Sequence, residues 1–531
     1  MNKSALSLLR KVSQSPIVAL LLAASFPAIS LLAANHNYAG WPDLLRPLTI
    51  SILLAIVLYA LMNGVMGSGF KAGLMAVLVV LTILSYGHMY EAVKNGAVAG
   101  VVIGRHRVLA PALGIGLVLV YLWLRRITSP GAGGTQALNL TALLLIVFPI
   151  GQLVAHSART AFWSSETPAQ TEFQEIVRLE PVDNPPDVYF ILLDSYTRQD
   201  VLATNYDFDN RPFLQELEAL GFEVADRSRS NYALTLPSLA STLNMDYLDA
   251  LEPSPLGADD GYYRAKYLID ENRVVRLFRS LGYTFVAFES AVNYTDFREA
   301  DVYLPAQALG FSNLRLISGL NGFEALFLRT TIVRLLVDAT QVFETQLGDA
   351  LQDPYRLHRQ RVLNILDNLP AVAELEGPKF VFAHVMAPHP PYIFGPQGEP
   401  IYSDETFTLT LDLAEGRGED FQRGYRYQVE FLNARLLEIL PQVIARSSAP
   451  PIIILAGDHG GFLASHTDRM AILNSYWLPG DGEAAVYEQI TPVNTFRLIF
   501  NLYFGGDYPL LEDLSFYSPS SDPFVLEPVN P

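Results

Sequence analysis

The sequence predicts two parts of different fold class: an N-terminal all-α transmembrane bundle, followed by an α/β domain with a mostly parallel central sheet. Half of the 531 residues are hydrophobic and the mean hydropathy is +0.23. The long apolar runs lie within the first 156 residues. Up to Thr160 the chain has eleven Lys or Arg and two acidic residues, so the remainder carries a net charge of −27. Two parts in different solvents are therefore expected.

The composition also excludes several classes of function. A net charge of −18 argues against a nucleic-acid partner, because phosphates would be repelled. A small anionic substrate remains compatible with this charge, since one metal ion can reverse the local field. The absence of cysteine excludes disulfides, thiolate metal sites and a cysteine nucleophile.

Five apolar runs, each close to the ~20 residues that cross a hydrocarbon core, predict the transmembrane bundle. The first run follows basic residues but is itself followed by further apolar runs, so we interpret it as an anchor rather than a cleaved signal. The runs cover residues 15–34, 46–65, 69–88, 107–124 and 138–156.

Basic residues indicate the orientation of this bundle. With a cytoplasmic N-terminus and five crossings, the cytoplasmic segments carry Lys3, Arg10, Lys11, Lys71, Arg125 and Arg126. We therefore expect a multi-pass protein of the plasma (inner) membrane whose large domain is extracytoplasmic. Four spans with one interfacial helix are the alternative, and they would reverse the topology.

The expected domain boundaries follow from these runs. Residues 1–156 form the bundle and residues 157–186, which end in Asn184-Pro185-Pro186, form an amphipathic or extended connector. Residues 187–531 form the extracytoplasmic domain, which is long enough to bury its own core.

From Asp187 onward, short apolar runs alternate with stretches of helical spacing, a pattern typical of an α/β domain with a largely parallel sheet. The predicted strands are Val188–Leu193, Thr284–Phe288, Phe380–Ala383 and Ile452–Leu455. The predicted helices are Pro212–Leu220, Tyr355–Leu369 and Phe421–Ala445.

Polar residues follow these strands at their C-terminal ends, where open α/β sheets bind their ligands. The residues are Asp194, Glu289, His384 and Asp458. Asp194 could ligate a hard metal ion, although many aspartates in this position only cap a helix. Asp458 and His459 offer adjacent oxygen and nitrogen ligands before a glycine turn.

A Thr-Leu-Pro-Ser sequence supplies a candidate nucleophile. Pro237 near the start of a helical stretch places Thr235 just ahead of a helix N-terminus, which favours an anion such as phosphate or sulfate. The hydroxyl of Thr235 could attack such a group if its pKa were lowered. Alternatively, Thr235 is simply an N-cap residue.

Three histidines complete the set of candidate site residues. His384 and His389 flank a Pro-rich turn and could hold an anionic substrate or donate a proton to a leaving group. His466 follows the Asp-His pair closely. A lone histidine on such a loop is more often structural, but His384 and His389 lie within six residues of each other.

Together these motifs resemble the sulfatase and alkaline-phosphatase superfamily between about Asp187 and Phe504. The sequence beginning at Thr235 is similar to the sulfatase Cys-x-Pro-Ser-Arg signature, with Thr in place of the modified Cys and Leu239 in place of the Arg. Asp194 is followed by Ser195, where sulfatases usually have a second Asp. A threonine nucleophile below a five-helix anchor is more similar to lipoteichoic acid synthase and the lipid A phosphoethanolamine transferases.

This resemblance implies a sulfatase-type fold and a set of residue roles. Asp194, Thr235, Asp458 and His459 would bind one divalent metal, which is Mn²⁺, Zn²⁺ or Mg²⁺. Thr235, His384 and His389 would be catalytic, and His384, His389 and His466 would contact the substrate.

The implied reaction transfers a phosphoglycerol- or phosphoethanolamine-type head group from a membrane lipid to an envelope glycan or polymer, through a threonine-linked intermediate. The first alternative is a hydrolase of sulfate or phosphate esters, and the second is an anchored binding protein without chemistry. Residues of about 290–350 match no motif, and we expect them to shape the acceptor site.

Overall fold

The fold is that of a computed structural model, and the described residues fall in thirteen segments. They are residues 14–35, 41–94, 97–98, 101–102, 105–128, 131–166, 179–251, 261–306, 322–335, 354–401, 419–462, 465–519 and 523–529. The chain divides into two compact units, the first formed by residues 1–158 and 309–354 and the second by residues 159–308 and 355–531.

The first unit contains five long apolar helices, which confirms the predicted all-α bundle. Each is long and apolar enough to cross a membrane. The helices are α1 Pro16–Ala34, α2 Trp41–Met66, α3 Gly69–Val93, α4 His106–Arg126 and α5 Gly131–Glu166, and a two-stranded hairpin of β1 Ala97–Val98 and β2 Val101–Val102 lies between α3 and α4.

The last helix extends further than its apolar run predicts. Helix α5 continues to Glu166, so the first ten residues of the predicted connector are helical. Six of these ten residues are polar, but none is proline, and a helix can therefore extend beyond the apolar segment. Residues 167–178 of the connector lie outside the described residues.

A polar side chain of α5 satisfies the free backbone groups at the start of α1. Asn139 Oδ1 accepts a hydrogen bond from the Ala19 N–H at 2.9 Å, and its Nδ2 donates to the Ser15 carbonyl at 3.0 Å. The first N–H groups of a helix have no partner within the helix, and this is costly in an apolar surrounding. Asn139 therefore fixes the packing of α5 against α1.

A segment of the second half of the sequence also packs in this unit. Residues 322–335, from the stretch of about 290–350, contain a helix over Gly322–Thr330. Glu324, which is buried, accepts from Arg46 at 3.4 Å, and Arg334 pairs with Glu91 at 3.1 Å. The segment therefore lies at the end of the bundle where α2 starts and α3 finishes. Residues 307–321 and 336–353 lie outside the described residues.

The second unit is built on a seven-stranded, mostly parallel sheet, which confirms the predicted fold class. The strands are β3 Val188–Leu193, β4 Glu223–Val224, β5 Thr284–Phe288, β6 Val302–Leu304, β7 Lys379–Val385, β8 Ile452–Gly457 and β9 Asn474–Trp477. Their spatial order is β4-β9-β8-β3-β7-β5-β6, and β9 runs antiparallel to both of its neighbours.

Helices cover both faces of this sheet. Continuing the numbering, the helices of this unit are α6 Gln199–Asn205, α7 Arg211–Ala219, α8 Thr235–Asn244, α9 Gly261–Asp270, α10 Arg273–Ser280, α12 Pro354–Val372, α13 Glu419–Arg446, α14 His466–Met470 and α15 Pro492–Tyr503, and α11 is the helix Gly322–Thr330 of the first unit. A second small sheet pairs β10 Phe516–Tyr517 with β11 Glu527–Pro528.

Strand β3 separates two hydrophobic cores because successive side chains point to opposite faces of the sheet. Val188, Phe190 and Leu192 pack in the core that includes α8 and α15. Tyr189 and Ile191 pack in the core that includes α12 and α13. All six residues of β3 are buried, as expected for a central strand of a parallel sheet.

The register of three central strands places the candidate site. Leu192 of β3 is paired with His384 of β7, and Leu193 is paired with Gly457 of β8. Asp194 and Asp458 therefore leave neighbouring strands at the same level. The C-terminal edge of the sheet thus brings together residues that are far apart in sequence.

Candidate active site

Ser195 holds the two carboxylates of the site next to each other. Its backbone N–H donates to Asp458 Oδ1 at 2.9 Å, and its hydroxyl donates to Asp194 Oδ1 at 2.9 Å. Ser195 has a φ of +66°, a left-handed conformation that is uncommon for a residue other than glycine. The turn after β3 therefore directs both groups of Ser195 toward the carboxylates.

His459 presents one nitrogen to the same site. Its Nδ1 hydrogen donates to the Gly460 carbonyl at 2.9 Å, so Nε2 is the nitrogen with a free lone pair. Burial, and then the charge of Arg469, lower the pKa of His459 to about 3. His459 is therefore neutral at physiological pH, the form that ligates metals.

Thr235 is the first residue of α8, and its side chain is buried. Its Oγ1 lies 3.4 Å from Asp194 Oδ2 and 3.3 Å from His459 Nε2. Ser238 of the same helix donates to the backbone carbonyl of Asp458 at 2.8 Å, which fixes the start of α8 against the end of β8. The helix N-terminus and the hydroxyl therefore face the cluster together.

These side chains form a set that fits one divalent cation. Ligand atoms of Asp194, Asp458 and His459 lie within 4.8 Å of one another, and all three residues are buried. Oδ2 of Asp458 is buried and makes no hydrogen bond of normal geometry with the described residues. A buried carboxylate oxygen without a partner is costly, and a cation would satisfy it. Carboxylate oxygen, hydroxyl and imidazole suit Mg²⁺, Mn²⁺ or Zn²⁺.

The two carboxylates differ in their acidity. Burial, and then the neighbouring charge of Asp194, raise the pKa of Asp458 to about 7. Burial also opposes ionisation of Asp194, but its electrostatic interaction with His389 and the hydrogen bond from His384 outweigh it and lower the pKa of Asp194. Asp194 is therefore ionised, whereas Asp458 exchanges its proton near neutral pH.

The raised pKa of Asp458 predicts that metal binding depends on pH. A metal ligand must be deprotonated, so binding below pH 7 has to displace the proton of Asp458. We expect the apparent metal affinity of the full-length protein to rise about tenfold per pH unit up to about pH 7 and then to level off.

Calorimetric titration with Zn²⁺ or Mn²⁺ at several pH values, in buffers of different ionisation enthalpy, measures both the affinity and the proton released. Release of about one proton at pH 6 is expected from this single titrating ligand. An affinity that stays constant between pH 5 and pH 8 would show that Asp458 is not the titrating ligand.

His384 uses both ring nitrogens to hold its neighbours. Its Nε2 donates to Asp194 Oδ2 at 3.2 Å, because the ionised carboxylate can only accept. Its Nδ1 is hydrogen-bonded to the Thr295 hydroxyl, 2.9 Å away, and Thr295 also bonds to Ser290 at 2.7 Å. This geometry supports a role of His384 in orienting Asp194.

His389 lies at the same edge of the sheet, on the Pro-rich turn after β7. Its backbone N–H donates to the Asp194 carbonyl at 3.0 Å, and its Nδ1 hydrogen bonds to the Pro390 carbonyl. Burial is the main cause that lowers the pKa of His389, so the ring is neutral near pH 7. Its Nε2 is consequently the nitrogen that can accept a proton.

The other two polar residues singled out from the sequence have different surroundings. His466 is exposed at the start of α14 and stacks on Tyr517 with ring centroids 3.8 Å apart. Glu289, after β5, pairs with Arg361 at 2.8 Å and accepts from the Ala306 N–H. Neither residue belongs to the metal-ligand group found among the described residues.

Two residues that follow Asp458 in the sequence lie beside the site although the sequence motifs did not indicate them. Phe462 lies edge-on to both site histidines, with centroid distances of 5.7 Å to His459 and 5.3 Å to His389. The guanidinium of Arg469 lies 4.1 Å from the centre of the Phe462 ring. The sequence does show an arginine, Arg469, shortly after the Asp458-His459 pair. Its distance from the site, however, depends on the fold.

Comparison with known proteins finds similarity only at the level of three-dimensional structure. No family model and no curated protein matches the sequence. Solved structures that match include a zinc complex of the C-terminal periplasmic domain of EptC from Escherichia coli, with 13% identity, 66% of this chain and 94% of that chain covered, and a TM-score of 0.41.

Two other matches differ in the share of the chain that they cover. The integral membrane lipooligosaccharide phosphoethanolamine transferase A from Neisseria meningitidis matches over 92% of this chain and 95% of its own, with 11% identity and a TM-score of 0.41. A 2-O glycosaminoglycan sulfatase matches over 61% and 72%, with 13% identity and a TM-score of 0.38. The matches thus include both kinds of protein that the sequence motifs resemble.

Proposed function

We propose that this protein is a membrane-anchored, metal-dependent enzyme that transfers a phosphorus-containing lipid head group through an intermediate on Thr235. One observation carries the proposal: the Thr235 hydroxyl lies at a helix N-terminus, 3.4 Å from Asp194 and 3.3 Å from His459, within a buried cluster that fits a cation. A hydroxyl in such a place can act as a nucleophile, whereas one that only caps a helix needs no such cluster.

Asp194, Asp458, His459 and the hydroxyl of Thr235 are the groups that would hold the metal. A divalent cation bound there supplies Lewis-acid chemistry, since it lowers the pKa of the hydroxyl and compensates the negative charge of the transferred group. Asp194 and Asp458 follow strand ends and Thr235 begins helix α8, and these rigid elements would keep the ligands in place without reorganisation.

In the first half-reaction, Thr235 Oγ1 attacks phosphorus while the bond to the lipid oxygen breaks. The single hydroxyl proton of Thr235 leaves as this bond forms, and the departing diacylglycerol oxygen takes up one proton. The partial positive charge at the N-terminus of α8 favours the oxygens of the transferred group. The products are diacylglycerol and a phosphodiester on Thr235.

In the second half-reaction, an acceptor hydroxyl attacks the same phosphorus and releases Thr235. The acceptor loses a proton as its bond forms, and Thr235 takes one up. We assign the proton transfer to His389 because its neutral ring has Nδ1 bonded to Pro390 and leaves Nε2 as the accepting nitrogen. His384, with both nitrogens occupied, positions Asp194 instead.

The membrane unit supports a lipid as the donor. Five apolar helices in the same chain as the site would keep it beside the bilayer, where diacylglycerol can leave into the lipid. The acceptor we propose is an envelope glycan or polymer, and the catalytic domain would be extracytoplasmic in the plasma (inner) membrane.

The test is an activity assay on the purified full-length protein loaded with Mn²⁺ or Zn²⁺. Vesicles containing phosphatidylglycerol and phosphatidylethanolamine should yield diacylglycerol, and the yield should increase when a hydroxyl acceptor is added. Cleavage of p-nitrophenyl sulfate or phosphate without diacylglycerol release would support an ester hydrolase. Absence of bound metal and of turnover would support an anchored binding protein.

The proposed topology predicts which residues are reachable from outside the cell. The protein has no cysteine, so single cysteines can be introduced without background labelling. Thr128→Cys, between α4 and α5, should react with a membrane-impermeant maleimide only after permeabilisation of spheroplasts. Glu376→Cys, exposed in the α/β domain, should react in intact spheroplasts. The reverse pattern would support four spans with an interfacial helix.

A further inference from the structure

Arg469 is a half-buried cation whose hydrogen-bonding capacity is only partly used. Its Nε donates to the Ala233 carbonyl at 2.7 Å, two residues before Thr235. Its Nη2 is buried and makes no hydrogen bond with any residue that the structure describes. An unsatisfied buried donor is costly, so a partner absent from the protein itself is indicated.

Several contacts hold the side chain in this position. The backbone carbonyl of Arg469 accepts from the Gly460 N–H, directly after the Asp458-His459 pair. The guanidinium lies over the ring of Phe462, which in turn contacts His459. A guanidinium packed on an aromatic ring and anchored through Nε has little freedom, so its Nη2 is held in place.

The charge of Arg469 acts on the catalytic cluster. Burial lowers the pKa of Arg469 to about 10, so the group stays charged at neutral pH. Asp458 and Asp194 are the carboxylates that stabilise this charge. With a divalent cation bound as proposed, two carboxylates, the cation and Arg469 give a net charge of +1 when the histidines are neutral. That charge matches a single negative charge on the substrate.

We infer that Arg469 is a substrate-binding residue whose Nη2 donates to an anionic oxygen of the group that Thr235 attacks. This inference rests on the proposed function and adds a specificity: the site takes a singly charged group, a phosphodiester or a sulfate monoester. A phosphate monoester, which carries two charges near pH 8, fits the charge of the site less well. The position of Arg469 beside the site, with its guanidinium on Phe462 and the charges of Asp458 and Asp194 acting on it, supports this role.

The experiment measures the binding of dimethyl phosphate, a phosphodiester monoanion, to the metal-loaded full-length protein by calorimetry. Arg469→Gln removes the charge, and Arg469→Lys keeps it with fewer donors. Arg229→Gln is the matched control, because Nη2 of Arg229 is also buried without a hydrogen bond among the described residues, but the charge acting on it is that of Arg198. Metal content is measured in every variant.

We expect Arg469→Gln to weaken dimethyl phosphate binding about 10- to 100-fold, the range for one charge-assisted hydrogen bond. Arg469→Lys should lie between this variant and the wild type, and Arg229→Gln should match the wild type. Metal content should not fall. Arg469 and the metal ion are both cations, so removing the charge of Arg469 removes a repulsion.

Three results would overturn the inference: no binding of dimethyl phosphate by the wild type, equal affinity in Arg469→Gln and Arg229→Gln, or loss of metal from Arg469→Gln. The last result would indicate that Arg469 only supports the ligands. Because binding is measured without turnover, a failure of the transfer reaction alone would contradict the proposed function and leave the role of Arg469 intact.

Discussion

Replacing Thr235 with alanine is expected to lower head-group transfer by about a thousandfold or more, the range for losing a covalent nucleophile. Thr235 is the hydroxyl residue of the site whose oxygen lies within 3.4 Å of both Asp194 and His459. Without that oxygen no covalent intermediate can form, and the remaining groups can only bind the substrate. The measurement is the initial rate of diacylglycerol release from vesicles by full-length protein.

Two further variants make this result specific. Thr235→Ser keeps the hydroxyl and should retain a measurable part of the activity. Thr242→Ala removes a buried hydroxyl from the same helix, where it donates to the Ser238 carbonyl at 2.8 Å, and should leave the rate nearly unchanged. If Thr235→Ala kept more than about a tenth of the wild-type rate, Thr235 could not be the nucleophile. Removal of a nucleophile lowers the rate far more than tenfold.

Replacing Asp458 with asparagine should weaken metal binding at least about a hundredfold, because loss of a residue that merely supports a ligand already costs 10- to 100-fold. The exchange is nearly isosteric. The amide oxygen can still accept from the N–H groups of Ser195 and His459, as Oδ1 does now at 2.9 Å in both cases. The buried Oδ2, in contrast, becomes an amide nitrogen that cannot ligate a cation.

The control for this variant is Asp468→Asn, which removes a carboxylate that is close to Asp458 in the sequence. Asp468 lies in α14, where its Oδ2 accepts from Asn205 at 3.4 Å. Metal content by mass spectrometry and affinity by competition with a chelator should be unchanged in Asp468→Asn and strongly reduced in Asp458→Asn. Equal affinity in Asp458→Asn and the wild type would remove Asp458 from the ligand set. A folded Asp458→Asn protein is expected, since its backbone hydrogen bonds are retained.

The central strands could be predicted from the sequence because apolar runs define them directly. Strand β3 has the predicted bounds Val188–Leu193, whereas β7 begins one residue earlier than predicted, at Lys379. A buried lysine does not indicate a strand by itself. Here Lys379 Nζ pairs with the buried carboxylate of Asp187 at 2.7 Å, a contact that only the fold creates.

Strand β9, Asn474–Trp477, could not be predicted from an apolar run. It is almost fully buried, but its first two residues are polar, so it lacks an apolar run. Asn474 donates to Ser228 at 3.0 Å and Ser475 donates to the Leu455 carbonyl at 3.3 Å. Such partners come from distant parts of the chain and compensate the burial of polar groups.

The candidate site was predictable where it depends on strand ends and unpredictable where it depends on loops. Asp194 and Asp458 follow strands, and the parallel register brings them together. Other contacts depend on how the loops pack: those of the Ser195 N–H with Asp458, of His384 with Thr295 and of Arg469 with Ala233. The sequence alone therefore indicates the candidate metal ligands better than the residues that orient them.

The most direct test of the proposed mechanism is the mass of the Thr235 peptide. Purified full-length protein is incubated with mixed membrane lipids and Mn²⁺ or Zn²⁺ without an acceptor, then digested and analysed by mass spectrometry. We expect a glycerophosphate or phosphoethanolamine adduct on the hydroxyl of Thr235, which would also identify the class of donor. An unmodified Thr235 peptide from a metal-loaded protein that still releases diacylglycerol would contradict it.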